Sequence, residues 1–289
     1  VIGLVAAAFL AAFPPGEREV PLFAARTDVI FVDVFVTRDG APVTGLSAED
    51  FEVRDDGEHR AVELVDLDTV PLEVLLAFDV SGSLAGERLD HLREAGRAFL
   101  RGLRPEDAAG LLTFSQEVRV RLAPTGDRAA LEGALDGLTG GGMTALYDGL
   151  YAALTLGSGL GRKMSIVFSD GADTISWLGE RQVLRTAEES NVLVQAVAVE
   201  PRSKGARTPA SSLEALRRIC AATGGRLWLA SSSATLAGTF ARVIEATRAR
   251  YLLRFEPTEP LRPGSHKLQV RLRGKHGDVR ARPSYFVPR

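Results

Sequence analysis

The stretch Val74-Leu75-Leu76-Ala77-Phe78-Asp79-Val80-Ser81-Gly82-Ser83 constrains this chain more than any other. It begins as an unbroken apolar run and ends in three oxygen-bearing side chains among small residues. That pattern is a buried strand delivering polar groups to the edge of a sheet. In open α/β folds ligands bind beyond that edge. Asp79, Ser81 and Ser83 alternate through the turn, so all three can point at one spot. Their oxygens are hard ligands, suited to Mg²⁺, Mn²⁺ or Ca²⁺ rather than to a soft metal. The expectation is a metal-centred binding site, not a catalytic one.

The rest of the chain supports a sheet of that kind. From residue 72 strands alternate with helices. Strands are expected at 74–78, 108–114, 164–168, 192–199 and 227–229, and helices at 87–103, 128–138, 145–156, 180–189, 213–222 and 233–247. Residues 118–122 follow a tight turn and read as a hairpin partner of the strand before them. Strands separated by helices of this length mean a parallel sheet with right-handed crossovers. The flanks are β in character. Residues 28–37, 51–54 and 61–67 read as strands on one side, and 251–255, 267–273 and 278–286 on the other. About 40 residues are at the lower limit for an independent core, so each flank needs a partner. The expected fold class is therefore α/β: a Rossmann-like, doubly wound, mostly parallel sheet inserted between two halves of a small β-sandwich-like module. The expected divisions are a leader and linker at 1–25, an N-terminal β segment at 26–70, the α/β unit at 71–248, and a C-terminal β segment at 249–289 that pairs with the first.

Three loops stand at or beside the C-terminal ends of strands: 79–83, 140–144 and 169–173. Together they offer Asp79, Ser81, Ser83, Thr144 and Asp170. Asp-Val-Ser-Gly-Ser after an apolar strand, then Gly-Gly-Met-Thr-Ala-Leu-Tyr-Asp, then Val-Phe-Ser-Asp-Gly, resembles the von Willebrand factor type A (VWA) domain over residues 72–247. The five residues match its metal-ion-dependent adhesion site position by position. The resemblance implies that Ser81, Ser83 and Thr144 are direct or near-direct ligands, and that Asp79 and Asp170 act largely through water or hydrogen bonds. It implies Mg²⁺, with Mn²⁺ or Ca²⁺ as alternatives, and a protein partner that presents Asp or Glu. The flanks resemble an acidobacterial-type family of secreted proteins with this domain, through Val43-Thr44-Gly45-Leu46-Ser47-Ala48-Glu49-Asp50-Phe51 and Arg280-Ala281-Arg282-Pro283-Ser284-Tyr285. Ser284 stands where that family has glycine.

Composition narrows the alternatives. A net charge of −2 and 7% aromatics give no basis for nucleic-acid binding. The single cysteine, Cys220, excludes an internal disulfide and a multi-cysteine metal site; with Leu213 and Leu216 on one helical face it reads as core. Residues 1–13 are apolar and alanine-rich, too short for a membrane span, and match the hydrophobic region of an export signal. A secreted, periplasmic or cell-surface bacterial protein, with no stable span once the leader is removed, is the expectation. The run 157–161 is a helix-to-strand loop, not a dinucleotide fingerprint, and the four histidines show no ligand spacing. Asp148 and Asp173 are ambiguous; a solvated face or a helix N-terminal charge explains Asp148 as well as a ligand role does. A Mg²⁺-dependent hydrolase or phosphatase is the rival, but the site loops carry no histidine as general base. A scaffold with a structural assembly role is the third possibility.

Overall fold

The computed structural model describes residues 29–156, 161–169, 173–199, 210–257 and 261–288. The expected leader at 1–25, the loop residues 157–160 and Asp170 lie outside them.

The chain enters through β1 (Ile30–Arg38), whose side chains alternate in the manner of a strand covered on both sides. Val32, Val34 and Val36 are fully buried on one face, while Asp33 and Phe35 occupy the other. β2 (Ala41–Pro42) folds back on it. Then come β3 (Phe51–Asp55), β4 (Glu58–Arg60) and β5 (Glu63–Val65). Of the strand expected over 61–67 the structure keeps β5, Glu63–Val65, before a 3-10 turn at Leu67–Thr69, and β4 at Glu58–Arg60 is a strand the sequence reading did not include. β4 pairs with β3, whereas β5 pairs with a strand of a different sheet, so the backbone breaks between them.

The α/β unit follows in chain order: β6 (Leu72–Asp79), α1 (Glu87–Arg101), β7 (Ala108–Phe114), β8 (Val118–Thr125), α2 (Arg128–Asp136), α3 (Leu146–Leu156), β9 (Arg162–Phe168), α4 (Glu180–Glu189), β10 (Leu193–Val199), α5 (Ala210–Ala222), β11 (Leu227–Ala230) and α6 (Leu236–Arg248). Its six-stranded sheet has the order β11-β10-β9-β6-β7-β8, parallel except for β8, which forms the expected hairpin with β7. Period-two alternation along β6 divides the core. Leu72, Val74, Leu76 and Phe78 pack with α1, α2 and α6; Leu75 and Ala77 pack with α3, α4 and α5. Cys220 is fully buried in the second layer, and burial pushes its thiol up to about 12. The chain leaves β6 toward β7 and later returns to the opposite side of β6 with β9. Such a reversal opens a crevice at the C-terminal ends of the two central strands.

The last segment holds β12 (Tyr251–Phe255), β13 (Gly264–Leu272), β14 (Asp278–Arg280) and β15 (Ser284–Val287). The stretch read as one strand over 278–286 is two, because β14 joins β1 and β15 joins β13. β12 lies between β1 and β5, and β13 lies between β3 and β15. Strands from before and after the α/β unit thus share both sheets, which close on a core including Val32, Val34, Phe51, Val53, Leu253 and Phe255. Among the described residues no helix is long and apolar enough to cross a membrane.

The polar face of β1 docks the two units. Asp33 accepts from Arg162 Nε at 2.9 Å and pairs with Arg250, and both guanidinium groups are buried. Burial alone would raise the Asp33 carboxyl, but charge attraction and hydrogen bonds from the two arginines outweigh it and hold the group below the ordinary range. Arg162 also donates to the Thr247 carbonyl in α6 at 3.0 Å, and Arg250 to the Gly224 carbonyl at 3.0 Å. The sequence shows Asp33 as an ordinary polar residue on an alternating strand; its role depends on arginines 129 and 217 positions away.

Candidate metal centre

The parallel register places the end of β6 level with the ends of its neighbours: Phe78 pairs with Phe168, and Asp79 with Phe114. Asp79 is fully buried there. Its Oδ1 accepts from the Ser81 backbone N–H at 2.9 Å, and its Oδ2 from the Ser169 hydroxyl at 2.8 Å. These bonds set the orientation of the carboxylate. Ser81 is buried, in extended backbone immediately before the 3-10 turn Gly82–Leu84. Its Oγ stands 3.2 Å from that of Ser83. Adjacent oxygens around an octahedral Mg²⁺ at about 2.1 Å stand about 3.0 Å apart, so the hydroxyl pair fits one edge of that coordination shell.

The second loop is fastened to the first by backbone hydrogen bonds. Gly141 N–H donates to the Val80 carbonyl at 2.8 Å, and Gly82 N–H to the Gly142 carbonyl at 2.9 Å. A Cβ at Gly82 would lie 3.3 Å from that carbonyl oxygen, and Gly142 has φ of +84°, which favours glycine. The Ala145 N–H is bound to the Ser115 carbonyl at 2.7 Å, and the adjacent Thr144 is buried. The structure thus gathers Asp79, Ser81, Ser83 and the loop carrying Thr144.

Asp148 and Asp173 have clear structural partners. Asp173 Oδ1 accepts from the Leu146 N–H at 2.9 Å, capping α3 from another loop. Asp148 accepts from the N–H groups of Trp177 and Leu178, both at 3.0 Å. The Thr144 N–H donates to Thr174 Oγ1 at 2.8 Å, and the Thr144 carbonyl accepts from the Thr174 N–H at 2.8 Å. Ser176 Oγ accepts from the Tyr147 N–H at 3.0 Å. Burial pushes the Tyr147 phenol upward, and the Glu180 and Asp173 carboxylates add to the shift. Ser169, Thr174, Ser176 and these two aspartates form the frame of the site. The sequence offers Asp148 and Asp173 only as ambiguous carboxylates and the others only as short polar side chains after β9, because their partners lie 26 to 90 residues away. Arg88, also missed, donates to the Ser83 carbonyl at 3.1 Å and sets an exposed cation beside the site.

A second group of possible ligands, Asp55, Asp56 and His266, gathers in the β module. Tyr285 OH and Arg60 Nε donate to Asp55, and Lys267 N–H donates to Asp56. The His266 ring nitrogens face the Asp56 carboxylate at 2.9 Å and the Arg262 carbonyl at 2.7 Å, both acceptors. Both ring nitrogens are thus already engaged, and a metal would have to displace the Asp56 or the Arg262 contact. The cluster joins β3, β13 and β15. His91 bonds to Ser233 and His59 to Arg273.

Comparison with known proteins agrees with this geometry. Residues 74–172 match the family model for the von Willebrand factor type A domain. UPF0353 proteins of Mycolicibacterium paratuberculosis and Mycolicibacterium vanbaalenii are 27% and 28% identical over 195 and 199 residues. Those alignments cover 58% and 60% of this chain and 58% and 59% of the relatives, so the chain spans somewhat over half the length of the curated relatives it matches. Among solved structures, a von Willebrand factor type A protein from Catenulispora acidiphila superposes with a TM-score of 0.52 at 16% identity, over 89% of this chain and 72% of that one. The vWF domain of the type V pili tip protein Mfa5 from Porphyromonas gingivalis gives 0.51 at 14% identity, over 61% and 95%. The PilB minor pilin from Streptococcus sanguinis gives 0.50 at 13%, over 62% of each chain. The unit built on the six-stranded sheet has the von Willebrand factor type A fold, and residues 74–172 within it match that domain's family model.

Proposed function

We propose that Asp79, Ser81, Ser83, Thr144 and Asp170 hold one divalent cation, Mg²⁺ in the first instance and Mn²⁺ or Ca²⁺ as substitutes, and that the cation captures an Asp or Glu side chain of a protein partner. The observation that carries this reading is the Ser81–Ser83 hydroxyl pair, 3.2 Å apart, in front of a buried Asp79 whose two oxygens are already oriented by neighbours. Hydroxyl ligands are neutral. A cation held by them keeps much of its charge and draws an outside carboxylate into an open position, whereas a cage of directly bound carboxylates would quench that demand. The role is binding or assembly, not catalysis. The loops 79–83, 140–144 and 169–173 carry no histidine, so the hydrolase reading has no histidine general base within them. Two fold neighbours are a minor pilin and a pilus tip protein, which supports a surface-exposed or exported setting. Residues 26–70 and 249–289 act together as the module that presents the VWA unit at 71–248.

Calorimetry tests this. Mg²⁺ is titrated into the full chain, and a small carboxylate such as acetate is then added to the loaded protein. The expected result is one saturable Mg²⁺ site and carboxylate binding only when Mg²⁺ is present. Carboxylate binding that survives chelation, or that persists in the folded Ser81→Ala/Ser83→Ala variant, contradicts the proposal.

A further inference from the structure

The two tryptophans of this chain are treated in opposite ways. Trp228 is buried, and its indole N–H donates to Gln195 Oε1 at 2.9 Å. Trp177 is 96% exposed, the most exposed large apolar residue among those described. Its backbone is nonetheless fastened down. The Trp177 and Leu178 N–H groups end on Asp148, and the Thr174 and Ile175 N–H groups on the Thr144 carbonyl at 2.8 and 3.2 Å. Ser176 is bonded to the first turn of α3. Thr144 belongs to the proposed cation site, and Asp148 lies one helical turn beyond it. Ile175 is 42% exposed, and Met143, adjacent to Thr144 on the other side, is 49% exposed. Three large apolar side chains are thus displayed on backbone tied to the site itself.

Exposed apolar groups on a held backbone are what a binding surface needs. Tryptophan is enriched among residues that dominate binding energy, and a preorganised anchor loses little freedom when the partner arrives. A cation with Arg88 at its side attracts negative charge, but it does not discriminate one carboxylate from another.

We infer that Met143, Ile175 and Trp177 form an apolar rim that reads the residues flanking the captured carboxylate, so that the partner is a protein loop or segment carrying Asp or Glu within a few residues of an aromatic or branched aliphatic side chain. The inference rests on the cation-site proposal and adds the partner's second requirement. Trp177 is the main anchor of the rim; Ile175 and Met143 complete it.

A displayed library of short cyclic peptides, selected against the full chain in Mg²⁺ and eluted with chelator, is the probe. Recovered peptides are expected to share an acidic residue with an aromatic or branched aliphatic neighbour. Their affinity should fall at least tenfold in Trp177→Ala, less in Ile175→Ser, while Mg²⁺ affinity stays at the parent value. In a Trp228→Phe background the emission of Trp177 should shift to the blue on peptide binding. Peptides with no apolar preference, or with affinity indifferent to Trp177→Ala, overturn the rim. So does self-association of the chain by light scattering that Trp177→Ala abolishes, since the patch would then serve a second copy. Failure to recover any chelator-sensitive peptide also overturns the rim. The cation-site proposal is judged separately, by whether Mg²⁺ itself binds.

Discussion

Strand β9 runs between two polar ends of opposite design. Its N-terminal end carries Arg162, buried against Asp33 together with Arg250, so that full charges meet full charges inside the protein. Its C-terminal end leads to Ser169, whose hydroxyl holds Asp79 among serines, a threonine and glycines. The first end satisfies its charges internally and is a joint. The second uses its hydrogen bonds for orientation and sets the neutral Ser81 and Ser83 hydroxyls side by side, the arrangement the proposed cation site requires. Local polarity does not separate the two, because both contain an aspartate, half-buried at Asp33 and fully buried at Asp79. What separates them among the described contacts is the kind of partner: two guanidinium groups at Asp33, a hydroxyl and a backbone N–H at Asp79. Gly224 sits at the joint, where a Cβ would come within 2.7 Å of the Arg282 backbone nitrogen, so the two units dock there at backbone distance.

The largest effect should come from breaking the joint. Asp33→Ala leaves two buried arginines without their carboxylate and is expected to cost about 3–5 kcal/mol in urea unfolding. Divalent-ion affinity of the folded variant should not change; a parallel loss of both would show that the two ends are not separable. Next, Asp79→Ala removes the carboxylate behind the hydroxyl pair and should lower Mg²⁺ affinity by about 10–100-fold, with a smaller effect on stability than Asp33→Ala. Asp148→Ala deprives the Trp177 and Leu178 N–H groups of their acceptor, at a cost of about 1–2 kcal/mol. Its hydrogen exchange should quicken over 174–178 and stay unchanged at Arg162. The smallest effect belongs to the exposed Arg254–Glu63 pair, where Arg254→Ala should change stability by no more than about 1 kcal/mol.

Acid sharpens the same contrast. The folded Asp33 carboxyl lies below its ordinary value, so its contribution to stability is complete above the unfolded value of about 3.9. That contribution is lost as pH falls through the lower folded value. Thermal melts should therefore register no loss from this group between pH 7 and pH 5, then a loss below about pH 4 that is absent in Asp33→Asn.

The architecture was largely readable from sequence because its signals are local. The apolar run before Asp79 and the helical periodicities over 87–103 and 180–189 announce strands and helices without reference to distant residues. The three site loops were found for the same reason, each being a short polar and glycine-rich end to an apolar strand or the start of a helix. What escaped was non-local. Asp33 reads as an ordinary exposed position until Arg162 and Arg250 are placed beside it. Asp148 and Asp173 carry the chemistry of ligands, and only the fold shows their oxygens accepting backbone N–H groups of other segments. The strand β4 at Glu58–Arg60 and the break at 280–284 follow from pairings with distant strands and a change of sheet, which short-range pattern does not encode.

The most direct measurement is a titration of the full chain with Mn²⁺, followed by electron paramagnetic resonance, in parent protein and in the Asp79→Ala and Ser81→Ala/Ser83→Ala variants. One bound Mn²⁺ per chain, displaced by Mg²⁺ and greatly weakened in both folded variants, is the expected result. No bound ion in the folded parent, or binding that both variants retain at full strength, would contradict the assignment of the crevice as a cation site.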